Sequence, residues 1–131
     1  MTRLPRTIDM ILCDEMRVDN SNAKTSLEGL FHARFLPTFP SAPQAFAVYV
    51  ALIGGQGEAI MELRVTSMET ERDIYFYKKW FAVSEPDRII NVEIKVRKCQ
   101  FPFPGRYGFS LRFDGEEVSH RILSINQELV K

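Results

Sequence analysis

The sequence lacks the spacings that metal centres and redox pairs need. Its 131 residues include two cysteines, Cys13 and Cys99, and two histidines, His32 and His120. These form no CxxC pair and no Cys/His cluster, whereas a zinc site needs three or four converging ligands. Each histidine falls on a predicted strand, where surface or cross-strand packing accounts for it. The GxSxG, HExxH, P-loop and GxGxxG signatures are missing too. The expectation is a non-enzymatic chain with no cofactor and no metal.

An excess of charge of one sign is also missing. Lys+Arg and Asp+Glu both number 17. Binders of nucleic acid or anionic membranes draw much of their affinity from neutralising phosphate and show a basic excess. Neither partner is therefore expected. No run approaches the roughly 20 apolar residues of a membrane-spanning helix. The apolar run from Met10 to Cys13 is too short for a signal-peptide core, and Asp14-Glu15 stand where small residues should follow. Reduced thiols and a cytoplasmic location are the expectation.

What the chain does have is a short period. Helical spacing is nearly absent, and runs alternating every second residue recur between Pro, Gly, Asn and Asp. Hydrophobic residues make up 45% and charged residues 26%, enough apolar side chain for one core. The pattern predicts an all-β fold, an antiparallel two-sheet β-sandwich of about eight strands in a single domain over residues 1–131. The predicted strands are about 6–15, 25–36, 46–52, 59–65, 73–83, 88–98, 106–113 and 116–125, with 126–131 a loose C-terminal tail. Gly54-Gly55-Gln56-Gly57 and Asp114-Gly115 read as hairpin turns. Two proline-rich stretches, Pro37–Pro43 and Phe101–Gly105, read as stiff connectors, the first crossing between sheets.

Alternation names the core. Phe46, Val48, Val50 and Leu52 share one face, as do Ala59, Met61, Leu63 and Val65. So do Val92, Ile94, Phe109 and Leu111 on their strands, and Leu27, Phe31, Ala33 and Phe35 on the second, where Gly29 suggests a bulge or a close backbone approach. Cys13 is expected to be buried, and Cys99, beside a connector, to be the more reactive thiol.

Candidate surfaces come next. Carboxylates gather in three loops, Asp14-Glu15 with Asp19, Glu85 with Asp87, and Asp114 with Glu116-Glu117, but none has the D-x-D spacing of a calcium loop. Lys95, Arg97 and Lys98 could join Arg112 or Lys79 in a cationic strip, although a solvated face paired to Glu93 or Glu62 is commoner. The strand DIYFYKKWFAV is the most informative. It carries aromatics on both parities, with Ile74, Phe76 and Trp80 on one and Tyr75, Tyr77 and Phe81 on the other. If the first set points inward, Tyr75, Tyr77 and Phe81 line an outer face with Lys79. The candidate binding residues are Tyr75, Tyr77, Lys79, Trp80 and Phe81.

Three stretches are familiar together: ILCDEMRVDNSNAKTSLEGLF, PTFPSAPQAFAVYVALIG and PGRYGFSLRFDGEEVSHRILSI. They resemble a family of short bacterial proteins of unknown function built around one β-sandwich. The resemblance implies that fold and a bacterial source, and it brings no activity with it. The expected function is therefore a protein-binding or self-assembling module, a homodimer by strand addition among its forms. A carbohydrate- or small-ligand-binding domain using the aromatic sheet face is the alternative.

Overall fold

Clean alternation becomes strands wherever one face must be buried. The computed structural model describes residues 1–129 and has nine strands and no helix among them. In chain order they are β1 (Arg6–Asp19), β2 (Lys24–Leu30), β3 (Ala33–Leu36), β4 (Gln44–Ile53), β5 (Gly57–Ser67), β6 (Asp73–Val83), β7 (Ile90–Cys99), β8 (Gly105–Phe113) and β9 (Glu116–Gln127). They form a four-stranded sheet ordered β2-β1-β4-β7 and a five-stranded sheet ordered β3-β9-β8-β5-β6. The arrangement is sandwich-like, with one sheet curled as a half-barrel. No helix long and apolar enough to cross a membrane occurs among the described residues.

Between the sheets lies one buried cluster. Phe46, Val48, Val50 and Leu52 of β4 face Met61, Leu63 and Val65 of β5 and Tyr107, Phe109, Leu111 and Phe113 of β8 across it. Ile94 and Val96 of β7 join from the four-stranded sheet, with Val92 half-buried against them. Each large side chain removed from water here contributes on the order of 1.5–3 kcal/mol. The inward faces predicted for β4, β5, β7 and β8 are the ones observed.

Four expectations need correction. The predicted strand 25–36 is two strands in different sheets. Gly29 has φ +68°, and a Cβ there would collide with the Asp14 carboxylate, so the expected close approach is real. Phe31 N–H still donates to Leu12 O, but Ser124 N–H donates to His32 O, so the chain changes sheet between those two residues. Phe31 then packs on Phe46, while Ala33 and Phe35 turn outward and Arg34 and Leu36 inward.

The sandwich is also not wholly antiparallel, because β3 runs parallel to β9, with Ala33 opposite Ser124 and Leu36 opposite Gln127. Asn126 and Gln127, expected in a loose tail, therefore belong to β9, and Glu128 N–H donates to Leu36 O. The part of that tail at 130–131 lies outside the described residues. Finally, Gly54–Gly57 is no hairpin. It is an arch from one sheet to the other, with Gly54 at φ +86° and Gly57 at φ +96°, closed by the Arg3–Gln56 bridge.

The other turns follow their chemistry. Asp114 (φ 50°) and Gly115 (φ 85°) make the left-handed pair that an Asp-Gly hairpin requires. The two proline connectors both cross between sheets and are tied to each other. Ser41 N–H donates to Phe101 O at 2.9 Å, and Ser41 Oγ accepts from Phe101 N–H at 3.0 Å. That pairing seats the fully buried Phe101 ring 4.9 Å from Tyr107, whose hydroxyl donates to Phe103 O at 2.6 Å.

Candidate functional site: the outer face of the β6 edge

β6 is an edge strand, so one side of its backbone has no neighbour in the sheet. Its parity is set by β5. The turn at Met68–Arg72, with Ser67 N–H donating to Arg72 O at 2.8 Å, fixes the register. Tyr75, Tyr77, Lys79 and Phe81 stand opposite Val65, Leu63, Met61 and Ala59, which all face the core. Phe76, Lys78, Trp80 and Ala82 stand opposite Arg64, Glu62, Ile60 and Glu58 on the outer face.

This reverses the orientation that would line an outer face with Tyr75, Tyr77 and Phe81. Tyr75, Tyr77 and Phe81 are half-buried and pack on the core, with Phe81 in edge contact with Phe113 at 5.3 Å. Burial pushes the Tyr75 hydroxyl above its ordinary pKa. Trp80, by contrast, is 61% exposed on the outer face, joined by Phe76 at 47% and Ile60 at 42%. Of the five candidate residues only Trp80 and Lys79 remain exposed, and they point to opposite sides. Phe76 and Ile60 were missed. The signal that could have found them is the outward run Glu58, Ile60, Glu62, Arg64 on β5, which dictates the parity of whatever pairs with it.

Lys79 is exposed although its parity is inward. At a sheet edge the side chain escapes past the rim of the sandwich. An inward-pointing lysine at mid-edge makes it costly for another strand to continue the sheet, a recognised guard against edge pairing.

Beside the aromatics lies a charged band. One row of paired residues crosses four strands as Lys78, Glu62, Arg112 and Glu117, alternating in sign. Glu62 is 7% exposed, with Arg64 Nη2 donating to it at 2.5 Å. Arg64 also lies 3.6 Å from Asp73, and its guanidinium stands 5.6 Å from the Phe76 ring centre. Lys78 Nζ is 5.0 Å from the same ring. Phe76 is thus a ring with cations over it, whereas Trp80 is free of such contacts among the described residues.

Other candidates separate in space. Lys95 and Arg97 lie on the outer face of β7 in the four-stranded sheet, whereas Arg112 and Lys79 belong to the five-stranded one, so the cationic strip does not form. Lys95 instead reaches Glu93, at 4.0 Å. Ser110, Glu117 and His120 meet on the β8–β9 outer face, but Ser110 Oγ donates straight to Glu117 at 2.6 Å, with no imidazole between to act as base. Among the described residues no three His, Cys, Asp or Glu side chains are placed to hold a metal ion. The acidic loops have other partners: Asp14 pairs with Arg34, and Asp114 Oδ1 accepts from Ile60 N–H at 2.9 Å.

The thiols are both free and buried, Cys13 as expected, whereas Cys99 is not the accessible thiol its place beside a connector suggested. Cys99 is fully enclosed in the core cluster, and burial pushes its pKa up to about 12. Cys13 has the parity of Ile11 on the outer face of its sheet, opposite Ala47, covered by neighbouring side chains rather than by the second sheet. Burial, with Glu93 and Asp14 nearby, raises its pKa as well.

A comparison with curated proteins found no match to the chain. A family model does match, over residues 8–126, which takes in β2 to β8 whole and nearly all of β1 and β9. By that match the chain belongs to DUF6941, a family of unknown function.

Proposed function

We propose that this protein is a non-enzymatic binding module that docks a partner protein on the outer face of β6 and β5, with Trp80 as the anchor. The observation that carries the reading is the exposure of Trp80 beside Ile60 on the outer sheet face, rimmed by Lys78, Glu62 and Arg64. Exposed tryptophans ringed by polar groups are typical anchors of protein contacts, because one ring buries a large area at little entropic cost. Lys79 argues for docking on the face rather than for strand addition at the edge. Homo-oligomers belong to the same reading when the partner face is a second copy. Two free thiols fit a reducing compartment, so a cytoplasmic role goes with it.

A carbohydrate or other small ligand stacked on this face is the second reading, supported by Trp80 lying beside hydrogen-bonding side chains. The cations over Phe76 weaken it, since a sugar would have to displace them to use that ring.

The test places a photo-crosslinker at position 82, on the same face, and at position 97, on the other sheet. Crosslinks from 82 that vanish in Trp80→Glu, with an unchanged melting temperature, support the reading. Equal crosslinking from 97 rejects it. A thermal-shift screen of sugars, in which a ligand at 100 times its Kd adds about 2.7 kcal/mol, decides the second reading.

A further inference from the structure

A cleft of about 250 Å³ opens on the opposite flank of the molecule from β6. It exists because β1 is paired on its β2 side only from Cys13 to Asp19. Over Arg6–Leu12 its one strand neighbour is β4. There β9 of the other sheet crosses the uncovered side, and two bonds pin it. Thr7 Oγ1 donates to Val118 O at 3.3 Å, and Arg121 Nε donates to Met10 O at 2.9 Å. The cleft is the gap left between this crossing and the segment where the chain changes sheet.

Its walls are residues 10–12, Leu30, Phe31 and Ile122, with Arg121 and His32 the lining residues that carry polar side chains. No carboxylate lines it. Leu30 and Ile122 are 59% and 42% exposed, so the apolar surface is open at the mouth. Arg121 has the inward parity of Leu123 and Ile125, and two backbone carbonyls, of Met10 and His120, hold its Nε and Nη1. Its Nη2 has no partner among the described residues. A guanidinium fixed in this way offers a preorganised donor to an anion, and its planar fork suits a carboxylate.

We infer that this cleft binds a small carboxylate with one compact apolar tail, the carboxylate at Arg121 and the tail between Leu30, Phe31 and Ile122. The volume lies just below the usual range for drug-sized ligands, which fits a single aryl or branched alkyl group. The site is independent of the β6 face, so either can fail without the other.

The test titrates nitrogen-labelled protein with hydrocinnamate, hydrocinnamyl alcohol and hydrocinnamylamine while following the backbone amide spectrum. Hydrocinnamate is expected to give saturable shifts at Leu30, His32, Arg121 and Ile122, with the alcohol binding at least about tenfold more weakly and the amine giving none. Ile122→Glu changes a surface side chain and puts a carboxylate at the mouth. It should abolish the shifts and leave the rest of the spectrum in place. An acetylated dipeptide ending in phenylalanine with a free carboxyl separates two sources of the same chemistry. Tighter binding than hydrocinnamate assigns the cleft to a chain terminus, and weaker binding to a free acid. No saturable shift, equal binding of acid and alcohol, or an unaltered response in Ile122→Glu would overturn the assignment.

Discussion

Arg34, on β3 of the five-stranded sheet, donates from Nη2 to Asp14 Oδ1, on β1 of the four-stranded sheet, at 2.6 Å. The same guanidinium lies 4.2 Å from the Phe31 ring centre and 5.2 Å from that of Phe46, and donates to Gln44 at 3.2 Å. It clasps the sandwich where the chain changes sheet. Asp14 is well exposed, so the ion pair alone is worth little, about 0–1 kcal/mol. The contacts with the rings and their desolvation should contribute more. Arg34→Ala is expected to cost roughly 1–3 kcal/mol in urea unfolding, and Asp14→Asn under about 1 kcal/mol. Equal losses would mean that the ion pair, not the ring stacking, holds the clasp.

Phe109 is fully buried and lies 5.8 Å from Phe46 across the core. Phe109→Ala leaves a cavity that the surrounding strands cannot fill, and roughly 3–5 kcal/mol of unfolding free energy should be lost. A loss below about 1 kcal/mol in denaturant titration would show that the site collapses around the smaller side chain.

Ser41 Oγ accepts the Phe101 N–H and donates to Ala42 O, with the serine 2% exposed. Ser41→Ala leaves that amide buried without its partner, which costs about 1–3 kcal/mol. Hydrogen exchange read at the Phe101 amide should accelerate more than at Val48, in the middle of β4.

The two thiols should differ in reactivity. Cys99, held at about 12 by burial, should stay unlabelled by a maleimide until the protein unfolds, and Cys13 should label first. Peptide mapping after a short pulse checks the order. The same group predicts a pH effect. Its folded pKa is raised above the ordinary 9.0, so the folded state keeps a proton that the unfolded chain releases. Stability from this source is complete below about pH 9 and is lost as pH rises toward 12. Cys99→Ala should flatten that alkaline decline in melting temperature, after allowance for the cavity it creates.

Lys79 is the charge that stands at the unpaired edge of β6. Lys79→Val would leave an aromatic edge strand with nothing inward to repel a neighbour. Light scattering should detect self-association in this variant at concentrations where the wild-type chain shows less. If association does not rise, the edge is protected by something other than this lysine.

How far the sequence could be read follows from where its information is local. On β5, β7 and β8 one parity is apolar and the other mostly polar, and on β4 the bulky Phe46, Val48, Val50 and Leu52 oppose a parity made largely of alanine, so the larger apolar face went inward. On β6 both parities carry aromatics, and the choice was made by β5 across the pairing, which no reading of β6 alone contains. Gly29-Leu30-Phe31-His32 has no proline or turn dipeptide, so the change of sheet between Phe31 and His32 left little mark. By its sequence position Cys99 reads as accessible, because it lies just beyond the predicted strand 88–98 and beside a proline connector. Its burial comes from the neighbouring connector, where Ser41 draws Phe101 inward and closes that end of the core.

The parallel pairing of β3 with β9 has a consequence for how the chain is made. β9 follows the other eight described strands in the chain, yet it lies inside its sheet, with β3 on one side and β8 on the other. During synthesis the four-stranded sheet has all its members once β7 has emerged, while β3 still waits beside an empty slot. Closing that slot joins Ala33–Leu36 to residues 124–127, far away in the sequence, a non-local contact of the kind that slows folding. A nascent chain halted before residue 124 should therefore hold residues 33–36 unpaired, their backbone groups open to a chaperone until the final strand slides in.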